Sequence, residues 1–168
     1  MIAQMRIRAI DPNELDLHRV VRLSALQDAP DAFGETFVEA AAKPMTYWEE
    51  LTRSVTEPDR NVMFLACDGD DVLGCVYGLV NRVLADQGRV GGMWVNPAAR
   101  RRGIGQALLE AVIEWSRRRG FKGLGLWAPA HSPAALALYA KAGFRQTGIR
   151  QTMPTHRNLD IVEMTLQL

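Results

Sequence analysis

Apolar and polar residues alternate from Met5 to Ile10, the period-two pattern of a half-buried strand. Asp11-Pro12-Asn13-Glu14 then reads as a helix start, with Asp as N-cap, Pro at the first helical position and Glu at the third. Leu17, Val20, Val21 and Ala25 supply its apolar stripe. A second capping box, Thr46-Tyr47-Trp48-Glu49, opens a helix carrying Trp48, Leu51 and Val55, and Ala29–Gly34 between the two helices reads as a loop. Residues 61–67 and 72–80 are rich in Val, Phe, Leu and Tyr and join through an Asp-Gly turn as a hairpin. A third strand, about 89–95, ends at Pro97. The period turns helical from Ile104 (Ile104, Leu108, Ala111, Trp115) and stops at Arg117-Arg118-Arg119-Gly120, where cations and Gly suit a helix C-terminus and the arginines read as a solvated end. A strand at 123–128, a helix capped by Ser132 with Pro133 behind it, and two strands at 144–152 and 158–167 complete the chain. The order β-α-α-β-β-β-α-β-α-β-β predicts an α+β fold, one sheet with helices on both faces. Without repeats or a linker, residues 1–168 read as one domain.

Composition narrows the function classes. The 168 residues are 48% hydrophobic and 23% charged, enough apolar content for a packed core. Twenty Lys and Arg oppose 19 Asp and Glu, so no overall field draws the chain to nucleic acid or an anionic membrane. No apolar run approaches the ~20 residues of a membrane span, and Arg6 and Arg8 interrupt any leader-peptide core. With Gly69-Asp70 as the hairpin loop, Cys67 faces Val72 and Cys75 faces Phe64, which predicts sulfurs on opposite faces of the sheet and no disulfide. A reducing cytoplasmic setting and no metal site fit two such cysteines.

The informative stretch is Met93-Trp94-Val95-Asn96-Pro97-Ala98-Ala99-Arg100-Arg101-Arg102-Gly103-Ile104-Gly105. A strand hands over to a helix whose first amides are unpaired and carry about half a positive charge. Glycines at 103 and 105 remove the Cβ atoms that would keep an anion off those amides, and the arginines add charge. This is a pyrophosphate cradle. A Walker loop would need Lys-Ser/Thr where Gln106-Ala107 stand. A dinucleotide fingerprint would need a third Gly where Leu108 stands, and a later carboxylate.

What remains, Arg100-x-x-Gly103-x-Gly105, resembles the acetyl-coenzyme A loop of the GNAT superfamily of N-acetyltransferases. Leu138-Tyr139-Ala140-Lys141-Ala142-Gly143-Phe144 is similar to that family's second signature, Leu-Tyr-x-x-x-Gly-Phe, and the Ala25-Leu26…Pro30…Ala32-Phe33 segment is similar to its acceptor side. The resemblance implies a mixed, mostly antiparallel sheet, splayed where the pantetheine arm lies. It implies that Met93, Trp94 and Val95 hold the arm through their backbone, that Arg100, Arg101, Arg102, Gly103, Ile104 and Gly105 hold the pyrophosphate, and that Tyr139 protonates the departing thiolate. Gly91-Gly92 suits a bulge just ahead of that backbone. Where the family frequently carries Asn, this chain has Ser132, which still caps its helix. His131 beside it reads as a surface residue.

The base is open. Gly91 and Gly92 occupy the place where many members carry a carboxylate, leaving Glu35, Asp86, Glu163 or water. The acceptor amine is equally open between a small molecule and a protein. Its preference is expected from Phe33, Phe37, Tyr47 and Trp48 and from the loop near 150–157. Members often form homodimers. The missing carboxylate and the Ser132 departure keep a non-catalytic acyl-coenzyme A-binding module as the alternative.

Overall fold

Strand-forming and helix-forming periods resolve into a seven-stranded sheet of order β1-β2-β3-β4-β5-β7-β6 in the computed structural model, which describes residues 4–168. The strands are β1 (Arg6–Ala9), β2 (Val62–Asp68), β3 (Asp71–Val80), β4 (Gln87–Val95), β5 (Gly123–Pro129), β6 (Arg145–Met153) and β7 (His156–Gln167). The helices are α1 (Leu15–Asp28), α2 (Phe37–Ala41), α3 (Met45–Thr56), α4 (Ile104–Arg118) and α5 (Pro133–Lys141). All neighbouring strands are antiparallel except β4 and β5.

Two hydrophobic layers flank the sheet. On one side α4 buries Ile104, Leu108, Leu109, Val112 and Ile113 together with Tyr139 of α5, against Val76, Leu124, Leu126 and Met164. Each such side chain contributes roughly 1.5–3 kcal/mol by leaving water. On the other side α1 and α3 bury Val21, Ala25, Leu26, Trp48 and Val55 against Met63, Leu65 and Tyr77. The edge strand β6 is exposed from Arg145 to Thr152.

The differences from the sequence expectation are local. Asp11 and Glu14 do exchange capping bonds, Asp11 Oδ1 accepting from the Asn13 amide (2.9 Å) and Glu14 Oε2 from the Asp11 amide (2.8 Å). They close a turn, however, and α1 starts after it, at Leu15. Val20 of the expected stripe is exposed, and His18 takes a buried place. The Thr46 box does not form; a box forms at Thr36 and Glu39 and opens the unforeseen α2. Arg119 does not end α4 in solvent: it donates to the carbonyls of Arg60 (2.7 Å) and Asp59 (2.9 Å) and stacks on Trp115 and Phe121.

The cysteines correct a further expectation. Cys67 faces Val72 as read, yet Cys75 faces Leu65, because one extra residue, Leu73, bulges out of β3. A shift of one residue exchanges faces, so both sulfurs lie on the same side, buried and free.

Candidate active site

Pairing between β4 and β5 covers only Gln87, Gly88 and Arg89 opposite Gly123, Leu124 and Gly125. Beyond Arg89 the strands part. Just beyond, β4 gains a residue against β3: Val76 alone stands opposite Gly92 and Met93. Gly92 has φ +55°, a left-handed conformation that Gly adopts without steric cost. The Tyr77 ring lies where a Cβ on Gly92 would stand, with Tyr77 Cε2 2.7 Å from that position. The expected bulge at Gly91-Gly92 is therefore present, and an aromatic ring fills the space behind it.

A buried polar chain holds that ring. The Tyr77 hydroxyl is 2.7 Å from His18 Nε2, and His18 Nδ1 is 2.9 Å from Thr52 Oγ1. Burial, with the positive Arg22 nearby, pushes the His18 pKa down to about 4, so the ring is neutral at physiological pH. The Cys75 thiol donates to the Gly92 carbonyl at 3.6 Å.

After β4 the chain makes a 3-10 turn, Pro97–Ala99, which Asn96 caps by accepting from the Ala98 amide (3.1 Å). Arg100 Nε donates to the Val95 carbonyl (3.0 Å), and its Nη2 donates to Asp28, which also accepts from Trp94 Nε1 (2.9 Å). The Arg100 guanidinium is thus turned toward α1, and the Trp94 indole is buried in the α1 layer. Arg101 (φ +65°) and Gly103 (φ +77°) then reverse the chain into α4, whose first amides carry no side-chain cap. Arg101 and Arg102 are exposed, and nothing lies within 4 Å of a Cβ placed on Gly103. Ile104 is buried beneath the turn. Gly105 lets Leu138 of α5 close in, to 3.2 Å from where its Cβ would be.

The parting of β4 and β5 opens a cavity of about 460 Å³. Its wall includes Gly91, Gly92 and Met93 of β4, Ser132 and Tyr139 of α5, and Phe33 from the loop after α1. Ser132 Oγ accepts from the Ala135 amide (3.3 Å), the predicted cap. Tyr139 is nearly buried, and burial pushes its pKa up to about 12. Phe33 carries Arg22 stacked at 5.1 Å, and its carbonyl accepts from Thr155 in the β6–β7 turn (2.8 Å). Of the expected acceptor-side aromatics, Phe33 reaches the cavity, whereas Trp48 is core.

The three carboxylates named as bases stand elsewhere than in the cavity wall. Asp86 pairs with Lys122 (3.2 Å), Glu163 accepts from Thr147 (2.8 Å) and Glu35 pairs with Arg22 (3.1 Å). His131 and Asp31 line the cavity, where the sequence reading took His131 for a surface residue and gave Asp31 no role beyond its loop.

An uncapped helix end, open space at Gly103 and a seam leading to a cavity fit a diphosphate with a long thin arm. Among the described residues, no group of three or more His, Cys, Asp or Glu side chains is placed to hold a metal ion, and no helix is long and apolar enough to cross a membrane.

Comparison with known proteins agrees. Residues 24–144 match the model of the acetyltransferase (GNAT) family. The chain is 30% identical over 104 residues to the ribosomal protein bS18-alanine N-acetyltransferase of Escherichia coli, covering 62% of this chain and 68% of that protein. It is 34% identical over 102 residues to the mycothiol acetyltransferase of Clavibacter michiganensis, 60% of this chain and 33% of the relative. Its fold is similar to a GNAT-family acetyltransferase from Streptococcus pneumoniae, with TM-score 0.82, 20% identity and 98% and 100% of the two chains covered. The chain belongs to the GNAT family and is an acetyl-coenzyme A-dependent N-acetyltransferase.

Proposed function

We propose that this enzyme acetylates a primary amine by direct attack on the thioester within a ternary complex, with Tyr139 as general acid. The supporting observation is a phenol in the cavity wall where β4 and β5 part, its proton retained at neutral pH by burial. Attack by an amine expels a thiolate, and a protonated phenol beside it supplies the missing proton. Bound acetyl-coenzyme A supplies an acetyl group already activated as a thioester.

The chain's own residues divide the remaining work. Amides of Gly103, Ile104 and Gly105, with Arg101 and Arg102, would hold the diphosphate. Arg100 would order the loop rather than grip the anion: its amide closes the 3-10 turn on the Pro97 carbonyl (3.4 Å) and its side chain ties the loop to Asp28. The backbone of Met93, Trp94 and Val95 would hold the arm, and one of its amides would stabilise charge on the carbonyl oxygen, worth ~3–4 kcal/mol per donor. Ser132 would border the arm from the start of α5. The relatives are named for an alanine of a ribosomal protein and for mycothiol, which supports an amine acceptor on either a protein or a small molecule.

The test is thiol release from acetyl-coenzyme A across a panel of amines. Tyr139→Phe should lower kcat by about 100-fold or more while coenzyme affinity stays within twofold. Unchanged turnover would exclude Tyr139 as the acid.

A further inference from the structure

We infer that His131, oriented by Asp31, is the general base that takes the acceptor amine's proton. The inference rests on the acetyl-transfer reading above and supplies the group that it lacks. Among the described residues of the cavity wall, only Asp31, His131 and Tyr139 are titratable, and Tyr139 serves the sulfur. His131 comes from the β5–α5 connection and Asp31 from the loop after α1, and they meet with His131 Nε2 3.7 Å from Asp31 Oδ2. Both remain partly exposed, at 35% and 56% of their side-chain surface, so a captured proton has a path to water.

The surroundings leave this pair without a competitor. From β4 the wall receives Gly91, Gly92 and Met93, none of them titratable. From β7, Asp160 accepts from the Ala130 amide through its carbonyl (2.9 Å), while its carboxylate pairs with Arg150 (3.1 Å). From the β6–β7 turn, His156 is engaged by Thr155 (3.0 Å). Tyr139 is the titratable group that α5 contributes.

Imidazole is the side chain that changes charge between pH 5 and 8, which matches it to this task. At 3.7 Å the Asp31 carboxylate acts on Nε2 as a nearby negative charge, and Nδ1 is the nitrogen left to take the amine proton. The acceptor reaches the cavity as R–NH3⁺. His131 takes one proton, and the freed amine forms the C–N bond while the C–S bond breaks. Tyr139 gives its proton to the departing sulfur and regains one from the new amide nitrogen. His131 releases its proton to solvent, so one proton is lost per amide formed.

Three proteins test this: wild type, His131→Gln and Asp31→Asn. The pH profile of kcat/KM should show an acidic limb in wild type that His131→Gln abolishes, with kcat lower by about 100-fold and coenzyme affinity, measured by calorimetry, within twofold. Asp31→Asn should lower kcat while coenzyme affinity stays within twofold of wild type. Turnover of His131→Gln within threefold of wild type with the acidic limb intact, or loss of coenzyme binding in that variant, overturns the inference. A wild type that releases thiol with no amine would refute the acetyl-transfer reading instead.

Discussion

Acidification from pH 7.5 to pH 5 should cost this protein about 2 kcal/mol through His18 alone. An unfolded histidine titrates near ~6.5, whereas burial holds His18 down to about 4 in the folded chain. Between those values the unfolded state binds the proton and the folded state refuses it, so stability falls as pH falls. The His18 contribution is fully present above pH ~6.5, shrinks by up to 1.36 kcal/mol per pH unit below it, and is exhausted near pH 4 after a loss of about 3 kcal/mol. By pH 5 some 2 kcal/mol of this is gone. The window isolates His18, because Glu14, Glu39 and Glu50 are all held below the usual carboxylate value and weaken the fold only in stronger acid. Urea unfolding at several pH values across this range, with constant m, gives the slope. His18→Gln should start less stable, since Tyr77 and Thr52 lose their partner, and should lack the slope. A wild type that is flat within about 0.5 kcal/mol, or a variant with the same slope, refutes the reasoning.

Other consequences are equally specific. Gly92→Ala drives a Cβ into the Tyr77 ring at a left-handed backbone position and should cost about 2–4 kcal/mol in urea unfolding; a loss below about 1 kcal/mol would show that the ring moves freely. Gly103→Asp places a carboxylate at the uncapped end of α4, where capping offsets the left-handed strain. Its melting temperature should stay within about 3 °C while coenzyme affinity falls at least tenfold, and unchanged affinity would remove the diphosphate from that end. Asp28→Ala leaves the buried Trp94 indole without its acceptor and frees Arg100. Stability should drop by about 1–2 kcal/mol with severalfold weaker coenzyme binding, and a variant indistinguishable in both respects would show that Asp28 does not organise the loop.

The sequence made the elements legible wherever a single period ran uninterrupted. The Val-, Phe-, Leu- and Tyr-rich runs at 61–67 and 72–80 and the helical stripe from Ile104 returned β2, β3 and α4 with ends shifted by a residue or so. The proposed coenzyme loop was legible for a different reason: Gly103 marks a left-handed turn with open space above it, and Gly105 marks the close approach of Leu138. His18 was within reach, since His18, Val21 and Ala25 share one helical face. What hid it is that a buried imidazole needs partners, and these are 34 and 59 residues away. The cysteine error has the same character: one bulged residue, Leu73, exchanges the face of everything after it and leaves no mark on the alternation.

The proposed base, His131, was the hardest residue to read because no local pattern defines it. Glu35, Asp86 and Glu163 were named for their chemistry, yet each is taken up by Arg22, Lys122 or Thr147. His131 and Asp31 stand 100 residues apart in sequence and meet in the wall of the cavity that opens where β4 and β5 part. The strands have parted by Val90, and just beyond, at Gly92 and Met93, β4 gains a residue in a bulge backed by Tyr77 and, through it, by His18 and Thr52. The buried chain that makes the fold sensitive to acid therefore also braces the strand from which the cavity opens. A change at Thr52, remote from the cavity wall, should then alter turnover as well as stability, in proportion to how far it loosens the Tyr77 ring.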